Sequence, residues 1–263
     1  MKIVTSSTEL PSGCAFVPTM GALHLGHASL FKKAASLSSE VVASIFVNPL
    51  QFEDQEDLAK YPRTPDRDIE LAEISGVTHL WLPNQGEIYP GQVTPIKAGP
   101  LGSIYEGASR PGHFDGVVTV VRRLFDLVKP KYAIFGEKDF QQLSLVRQVA
   151  GDVEIVQSPT VRGDNGIALS SRNMRLSESD MESARVISEA LYSAASQVSV
   201  AEALRAMRAV LASQDAFKVE YADIVDEVNF AIADEMTPNP RAIIAGWING
   251  VRLIDNMAMR VRA

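Results

Sequence analysis

Short apolar segments alternate with helix-like segments along the chain to about residue 160. Each apolar segment has the length of a strand, and the segments between them repeat apolar residues at helical spacing. The strand segments are CAFVP, VVASIFV, THLWL, KYAIFG and VEIVQ, and the helical patterns cover 27–38, 66–74, 116–128 and 138–149. Such alternation predicts an α/β fold, a parallel sheet with helices on both faces.

The pattern changes after the segment SPTVRGDNGIALSSRNMRLS. Two alanine-rich helical patterns follow, over 178–197 and 200–211, and the serine and acids of SESD are favourable at the start of the first. Three strand segments come next, KVEYADIVD, RAIIAGWI and VRLIDNM. Helices followed by consecutive strands are typical of an α+β domain. We therefore expect one domain over residues 1–160 and a smaller α+β domain over residues 161–263.

Composition argues against several classes of function. The net charge of −7 leaves no general basic surface for nucleic acid. The sequence shows neither a signal peptide nor an apolar run long enough to span a bilayer. The single cysteine, Cys14, cannot form an internal disulfide. We therefore expect a cytoplasmic protein that acts on small molecules and binds neither nucleic acid nor a membrane.

Two histidines lie close together in the segment PTMGALHLGH, between the first predicted strand and the first predicted helix. Ligands of open α/β sheets bind at such strand-to-helix loops. At the start of a helix, His24 and His27 can donate N–H groups to an anion, and the free helix amides add to the attraction. Gly26 allows a phosphate to approach the backbone closely. The segment therefore favours phosphate binding.

Two other interpretations of this histidine pair stay open from the residues alone. A metal site needs more ligands, and His79 and His113 lie far away in sequence, with no cysteine cluster and no HExxH motif. A histidine can also simply hydrogen-bond its own loop. Because the fingerprints GxGxxG and GxxxxGK[ST] are both absent, any nucleotide bound here is held by another device.

That device is the HxGH signature, here HLGH, which resembles the one in nucleotidylyltransferases and class I aminoacyl-tRNA synthetases. Read together, five segments resemble the ordered motif set of the pantoate–β-alanine ligase family: VPTMGALHLGH, FVNPLQFEDQEDLAKYPRT, SRPGHFDGVVTVV, FGEKDFQQL and ALSSRNMRLS. The similarity continues through VEYADIVD and RLIDNM, so it covers essentially the whole chain. The departures are Phe140, where the family often has tyrosine, and Leu169, where methionine is common.

The resemblance implies a Rossmann-like N-terminal domain, a smaller C-terminal lid domain and a homodimer. It also implies a ligase reaction in two steps. Pantoate attacks the α-phosphorus of Mg-ATP to form pantoyl adenylate and pyrophosphate, and the amine of β-alanine then displaces AMP to give pantothenate, a coenzyme A precursor. Magnesium is expected to be held mainly by the ATP phosphates, with no protein ligand assigned and no tightly bound organic cofactor.

The resemblance also implies site residues, which we carry over position by position. The expected catalytic residues are His24, His27, Lys138 and Arg172. The expected ATP-binding residues are these four together with Met20, Gly136, Asp139, Val161, Ser170 and Ser171. Pantoate is expected to contact Gln51 and Gln142, whereas Asn48, Tyr61 and Arg110 are expected on the β-alanine side or behind the contacting residues. No residue is assigned as the base that deprotonates β-alanine.

Two competing functions have distinct consequences. Another HxGH adenylyltransferase would transfer the adenylyl group to a phosphate ester, but such enzymes tend to be shorter and lack the FVNPLQF segment and the C-terminal strands. A noncatalytic ATP-binding module would bind ATP without releasing pyrophosphate. The presence of Lys138, Arg172 and both histidines favours an enzyme over such a module.

Overall fold

A computed structural model of the chain describes residues 1–53 and 55–259. Asp54, within the FVNPLQFEDQEDLAKYPRT segment, and the last four residues lie outside the described part. The chain divides into two compact units, Met1–Pro159 and Thr160–Ala263.

Six strands form a parallel sheet in the described residues of the N-terminal unit. They are β1 (Lys2–Val4), β2 (Ala15–Thr19), β3 (Val41–Ile45), β4 (His79–Trp81), β5 (Tyr132–Gly136) and β6 (Glu154–Ser158). Their order in the sheet is β1-β4-β3-β2-β5-β6. From β2 the chain proceeds outward through β3 to β4, and it then returns to start β5 on the other side of β2. This reversal makes the carboxyl ends of β2 and β5 the switch point of the sheet, where ligands of such folds bind.

Helices cover both faces of this sheet. They are α1 (Leu25–Ala35), α2 (Gln55–Lys60), α3 (Pro65–Ile74), α4 (Gln85–Ile88), α5 (Glu106–Ser109), α6 (His113–Val128) and α7 (Phe140–Val149). Alternate residues of β2 point to opposite faces. Val17 packs with Phe31 of α1 and Ala72 of α3, whereas Phe16 meets Phe125 of α6 edge to face. Helix α7 packs beside α6. The predicted fold class of this unit is therefore confirmed.

The C-terminal unit begins with a short hairpin-like segment and a 3-10 helix, Ser171–Arg175. Helices α8 (Glu178–Ala195) and α9 (Val200–Leu211) follow, then strands β7 (Lys218–Asp226), β8 (Pro240–Ile248) and β9 (Val251–Ala258). These strands form an antiparallel sheet in the order β7-β8-β9 among the described residues. Leu191 of α8, Met207 of α9 and Ile244 of β8 belong to one buried apolar cluster. The predicted α+β character of this unit is confirmed.

Three details differ from the sequence prediction. Strand β1 was not predicted, because three residues at the edge of a sheet carry too little periodicity. Helix α1 begins at Leu25, before the predicted start, because a polar side chain caps it there. The segment predicted as one helix from Lys138 begins instead as a 3-10 turn, Glu137–Asp139, before α7. Among the described residues, no helix is both long and apolar enough to cross a membrane.

Candidate active site

The loop that carries HLGH joins β2 to α1, and the turn Glu137–Asp139 follows β5 directly. Since β2 and β5 are neighbouring parallel strands, both connections leave the same edge of the sheet at its switch point. The topology therefore brings together two segments that are separated by more than a hundred residues in sequence. The predicted phosphate-binding residues of the N-terminal unit lie on these two segments.

The two histidines cap helix α1 reciprocally. His24 is the N-cap residue, and its Nδ1 accepts a hydrogen bond from the Gly26 N–H at 3.1 Å. The Nδ1 of His27 accepts one from the His24 N–H at 3.2 Å. An imidazole that accepts at Nδ1 carries its hydrogen on Nε2 when neutral. Each ring therefore keeps one Nε2–H donor that the cap does not use.

Both imidazoles are held neutral by their surroundings. Burial lowers the pKa of His24 to about 4, and the positive charge of Lys138 acts in the same direction. Burial lowers the pKa of His27 to about 3, with a further contribution from His24, whose ring centroid is 4.2 Å away. Two neutral rings close together can present two N–H donors without mutual repulsion. Such a pair suits the oxygens of a phosphate chain at the positive end of a helix.

Lys138 and Asp139 lie beside this pair. Both affect the pKa of His24 and of His27 electrostatically. The Lys138 Nζ lies 3.4 Å from an Asp139 carboxylate oxygen, and the Lys138 side chain is mostly buried. Gly136 precedes the turn as its N-cap residue. The structure thus brings Gly136, Lys138 and Asp139 near the histidines.

Asp68 of α3 holds the backbone of the HLGH loop, a role that sequence reasoning missed. Its carboxylate accepts hydrogen bonds from the Ala22 N–H at 3.0 Å, the Leu23 N–H at 2.7 Å and the Thr64 hydroxyl at 2.9 Å. Gly21 and Ala22 adopt left-handed φ angles of 82° and 50°. The available signal was a carboxylate four residues before Ala72, on the buried face of α3.

Gln51 ends the 3-10 helix Pro49–Gln51 and is buried. Its Oε1 accepts a hydrogen bond from the Asn48 amide at 3.1 Å, and its Nε2 lies 3.0 Å from the sulfur of Met20, in the HLGH loop. Asn48 is almost completely buried and also bonds Tyr89, which the sequence did not single out. The structure therefore brings Met20, Asn48 and Gln51 together, and it places Asn48 behind Gln51.

The other predicted residues of the N-terminal unit lie on nearby elements. Gln142 is a half-buried residue of α7 whose side-chain amide hydrogen-bonds none of the described residues. His113 donates from Nδ1 to the Gln51 carbonyl oxygen at 2.9 Å and accepts at Nε2 from Arg110 at 3.0 Å. Arg110 is therefore linked to Gln51 through His113. Tyr61, which follows α2, packs edge to face against Phe52.

Four predicted ATP-binding residues belong to the C-terminal unit. The Val161 carbonyl accepts a hydrogen bond from the Leu169 N–H at 2.9 Å, which closes the hairpin-like segment that leads to the serines. Ser170 caps the following 3-10 helix through a bond from the Arg172 N–H to its hydroxyl at 3.3 Å. Ser171 and Arg172 are the first two residues of that helix, and both are half-buried. Among the described residues, no group of three His, Cys, Asp or Glu side chains is arranged to hold a metal ion.

A parallel α/β unit with an HxGH loop at its switch point, neutral imidazole donors and a nearby lysine defines a nucleotide-binding protein of the HxGH class. The chain belongs to the pantoate–beta-alanine ligase family, whose model matches residues 2–258. The family resemblance inferred from the motifs is thereby confirmed.

Individual relatives agree over nearly the whole chain. A pantothenate synthetase of Acidothermus cellulolyticus is 46% identical over 259 residues, which cover 94% of this chain and 85% of that protein. The crystal structure of pantothenate synthetase from Thermus thermophilus has a TM-score of 0.94 at 44% identity and covers 98% of this chain and 99% of its own. A pantoate–beta-alanine ligase structure from Francisella tularensis, complexed with beta-gamma ATP and beta-alanine, has a TM-score of 0.80 at 35% identity and covers 98% and 97%.

Proposed function

We propose that this chain condenses pantoate with β-alanine to form pantothenate, using Mg-ATP and passing through pantoyl adenylate. The ligase activity follows from membership of the family. The observation that best supports the adenylation step is the neutral histidine pair at the switch point, which has two Nε2–H donors beside Lys138. Magnesium enters with the nucleotide as part of the substrate.

The first step needs alignment more than acid–base chemistry. A carboxylate oxygen of pantoate forms a bond to the α-phosphorus, the bond from that phosphorus to the bridging oxygen breaks, and pyrophosphate leaves. Pantoate is already an anion at neutral pH, so no base is required. Negative charge increases on the departing pyrophosphate, and His24, His27 and Lys138 supply donors and a cation that oppose it. We assign Ser170, Ser171 and Arg172 to the same phosphates.

Pantoate offers a carboxylate and hydroxyl groups, and we assign these to Gln51 and Gln142. The Gln51 Nε2 contacts only the weakly accepting sulfur of Met20 among the described residues, so a substrate oxygen can replace that contact with a stronger bond. The Gln142 amide makes no bond to the described residues that substrate would have to break. We assign Asn48, Tyr61 and Arg110 either to positions behind the residues that contact pantoate or to the β-alanine side of the site.

In the second step the β-alanine nitrogen bonds to the acyl carbon, the bond to the phosphate oxygen breaks, and AMP leaves. The amine must lose a proton, because its pKa in water is about 10, as for lysine. A phosphate oxygen or water can take that proton. A homodimer, a cytoplasmic location and a lid role for residues 161–263 are further parts of this proposal. They rest on the family resemblance, and sedimentation, cell fractionation and ligand-dependent scattering test them.

The deciding experiment is pantoate-dependent exchange of labelled pyrophosphate into ATP, with Mg²⁺ present and β-alanine absent. Exchange is expected, since the adenylation step is reversible and does not involve β-alanine. ATP binding without exchange would contradict the adenylation step and favour a noncatalytic ATP-binding module. Exchange that depends on a phosphate ester instead of pantoate would indicate another adenylyltransferase.

A further inference from the structure

Tyr89 lies directly after α4, outside every segment that pointed to the site. Its side chain is buried, and its ring meets that of Phe46 edge to face at 6.1 Å. The Tyr89 hydroxyl is 2.8 Å from Oδ1 of Asn48. This bond joins the segment between α4 and α5 to the segment that carries Gln51.

The orientation of the Asn48 amide follows from two backbone groups. The Leu50 N–H, which can only donate, lies 3.2 Å from the Asn48 Oδ1. The Gly116 carbonyl oxygen, which can only accept, lies 3.1 Å from the Asn48 Nδ2. The oxygen and nitrogen of this amide are therefore fixed without reference to other side chains. It follows that Tyr89 donates its hydroxyl hydrogen to Asn48.

The orientation of the Gln51 amide follows in turn. The second hydrogen of the Asn48 Nδ2 points to the Gln51 side chain at 3.1 Å, so the facing atom is the acceptor Oε1. The Gln51 Nε2 consequently points away, toward the sulfur of Met20. A series of donated hydrogen bonds thus runs from Tyr89 through Asn48 to Gln51 and ends in an N–H donor beside the HLGH loop.

We propose that Tyr89 is a positioning residue for pantoate, which acts through Asn48 to fix the N–H end of the Gln51 amide toward the substrate. This inference rests on the proposed function. Pantoate presents a carboxylate, which only accepts hydrogen bonds, so a donor facing it is favourable and a reversed amide would place two acceptors in contact. The Asn48 Oδ1 accepts two hydrogen bonds, from Tyr89 and Leu50, so both of its lone pairs are used. These bonds hold the Asn48 amide in the orientation that faces its N–H toward Gln51.

The test measures pantoate-dependent pyrophosphate exchange in Tyr89→Phe, which removes only the hydroxyl and retains the ring that packs on Phe46. One lost neutral hydrogen bond corresponds to roughly a 3- to 10-fold rise in the pantoate KM. The kcat and the ATP KM should change less than twofold, since the hydroxyl of Tyr89 bonds Asn48 and its ring packs on Phe46. Tyr192→Phe is the matched control, because Tyr192 is exposed in the C-terminal unit and no role is assigned to it.

A double-mutant cycle separates positioning from general structural support. Gln51→Ala should raise the pantoate KM by itself, and adding Tyr89→Phe to it should cause no further rise, because the group that Tyr89 positions is gone. Asn48→Asp gives a second reading, since it replaces the donor facing Gln51 by an acceptor and should raise the KM more than Tyr89→Phe does. A thermal unfolding curve for each variant confirms that it is folded.

The outcomes separate the inference from the proposed function. If the wild-type enzyme catalyses exchange but Tyr89→Phe leaves the pantoate KM unchanged, the inference alone is overturned. The same holds if Tyr89→Phe raises the KM in the Gln51→Ala background as much as it does in the wild-type background. Absence of pantoate-dependent exchange in the wild-type enzyme overturns the proposed adenylation step and the inference with it.

Discussion

Replacing Asp68 by asparagine tests whether the HLGH loop is held in place by a side chain of another element, α3. The substitution keeps the size of the side chain and removes its charge. As a carboxylate, Asp68 accepts from two backbone N–H groups and one hydroxyl. An asparagine has one oxygen and one NH₂ group, so the NH₂ must face one of these donors.

The expected cost can be worked from these contacts. A hydrogen bond to a charged group contributes about 1.5–3 kcal/mol, and a buried N–H left without an acceptor costs about 1–3 kcal/mol. Without the Asp68 bonds the loop should leave its native conformation, because Ala22 is held at a φ of 50°, which is unfavourable for a residue with a Cβ. We take a loss of about 3 kcal/mol as the central expectation for the native loop conformation. At about 1.4 kcal/mol per factor of ten, kcat/KM for ATP should fall roughly 100-fold.

The assay is pyrophosphate exchange at saturating pantoate with ATP varied, together with urea denaturation of the same samples. Asp66→Asn is the matched control, since Asp66 lies two residues away on α3 and is exposed. It should leave kcat/KM for ATP within about twofold of the wild-type value. Thr64→Val removes only the bond from the Thr64 hydroxyl to Asp68 and should give an intermediate loss.

A folded Asp68→Asn variant with wild-type kcat/KM for ATP would refute this reasoning. Such a result would mean that the caps of α1 and the packing of β2 are sufficient to hold the loop. A loss of stability without any loss of kcat/KM in the folded fraction would have the same meaning. Only a loss of kcat/KM that persists in the folded protein supports a positioning role for Asp68.

Three further predictions concern the same edge of the sheet. His24→Ala and Lys138→Ala should each lower the kcat of exchange by about 100-fold with little change in the pantoate KM, and wild-type rates in either variant would remove its assigned role. Because the pKa values of His24 and His27 lie at about 4 and about 3, the exchange rate should show no titration of either residue near pH 6.5. From pH 6.5 to pH 5 the unfolded chain takes up protons that the folded histidines do not, so the free energy of unfolding, measured with urea, should fall by roughly 1.6 kcal/mol per histidine. The fall should be about half as large in His27→Asn, and equal falls would contradict the low pKa values. Gly116→Ala would place a Cβ 2.2 Å from the Leu50 carbonyl oxygen, so we expect a higher pantoate KM and about 1–3 kcal/mol lower stability. An unchanged KM would show that the close approach of Gly116 to Leu50 does not shape the proposed pantoate site.

The sequence predicted the elements that carry strong periodicity. The strand segment KVEYADIVD coincides with β7, and the helical pattern over 200–211 coincides with α9. Buried strands and amphipathic helices have apolar residues at positions that follow from which side of the element is buried, so the sequence alone predicts them. The short helices between β4 and α6, α4 and α5, have four residues each, which is too few to show a periodic pattern. Their positions depend on contacts with distant segments.

The residues of the candidate site likewise fall into those that a sequence motif indicates and those that it does not. Residues that belong to a spaced motif, such as His24, His27 and Lys138, could be predicted because their chemistry and position are both visible in the sequence. Asp68 and Tyr89 could not be found in that way, because each acts through a hydrogen bond to a residue more than thirty positions away. Asp68 differs from Asp66 in sharing the buried face of α3 with Ala72, and its bonds to Ala22 and Leu23 form only in the folded chain.

The reciprocal cap of α1 joins the stability of the fold to the chemistry of the site. Protonation of either imidazole would place a hydrogen on the Nδ1 atom that accepts the capping bond, and it would add a positive charge at the positive end of the helix. The cap therefore requires the neutral form with hydrogen on Nε2. A phosphate oxygen requires the same form, because it needs an Nε2–H donor. Since both demands select one tautomer, the loop needs no rearrangement of hydrogens when ATP binds.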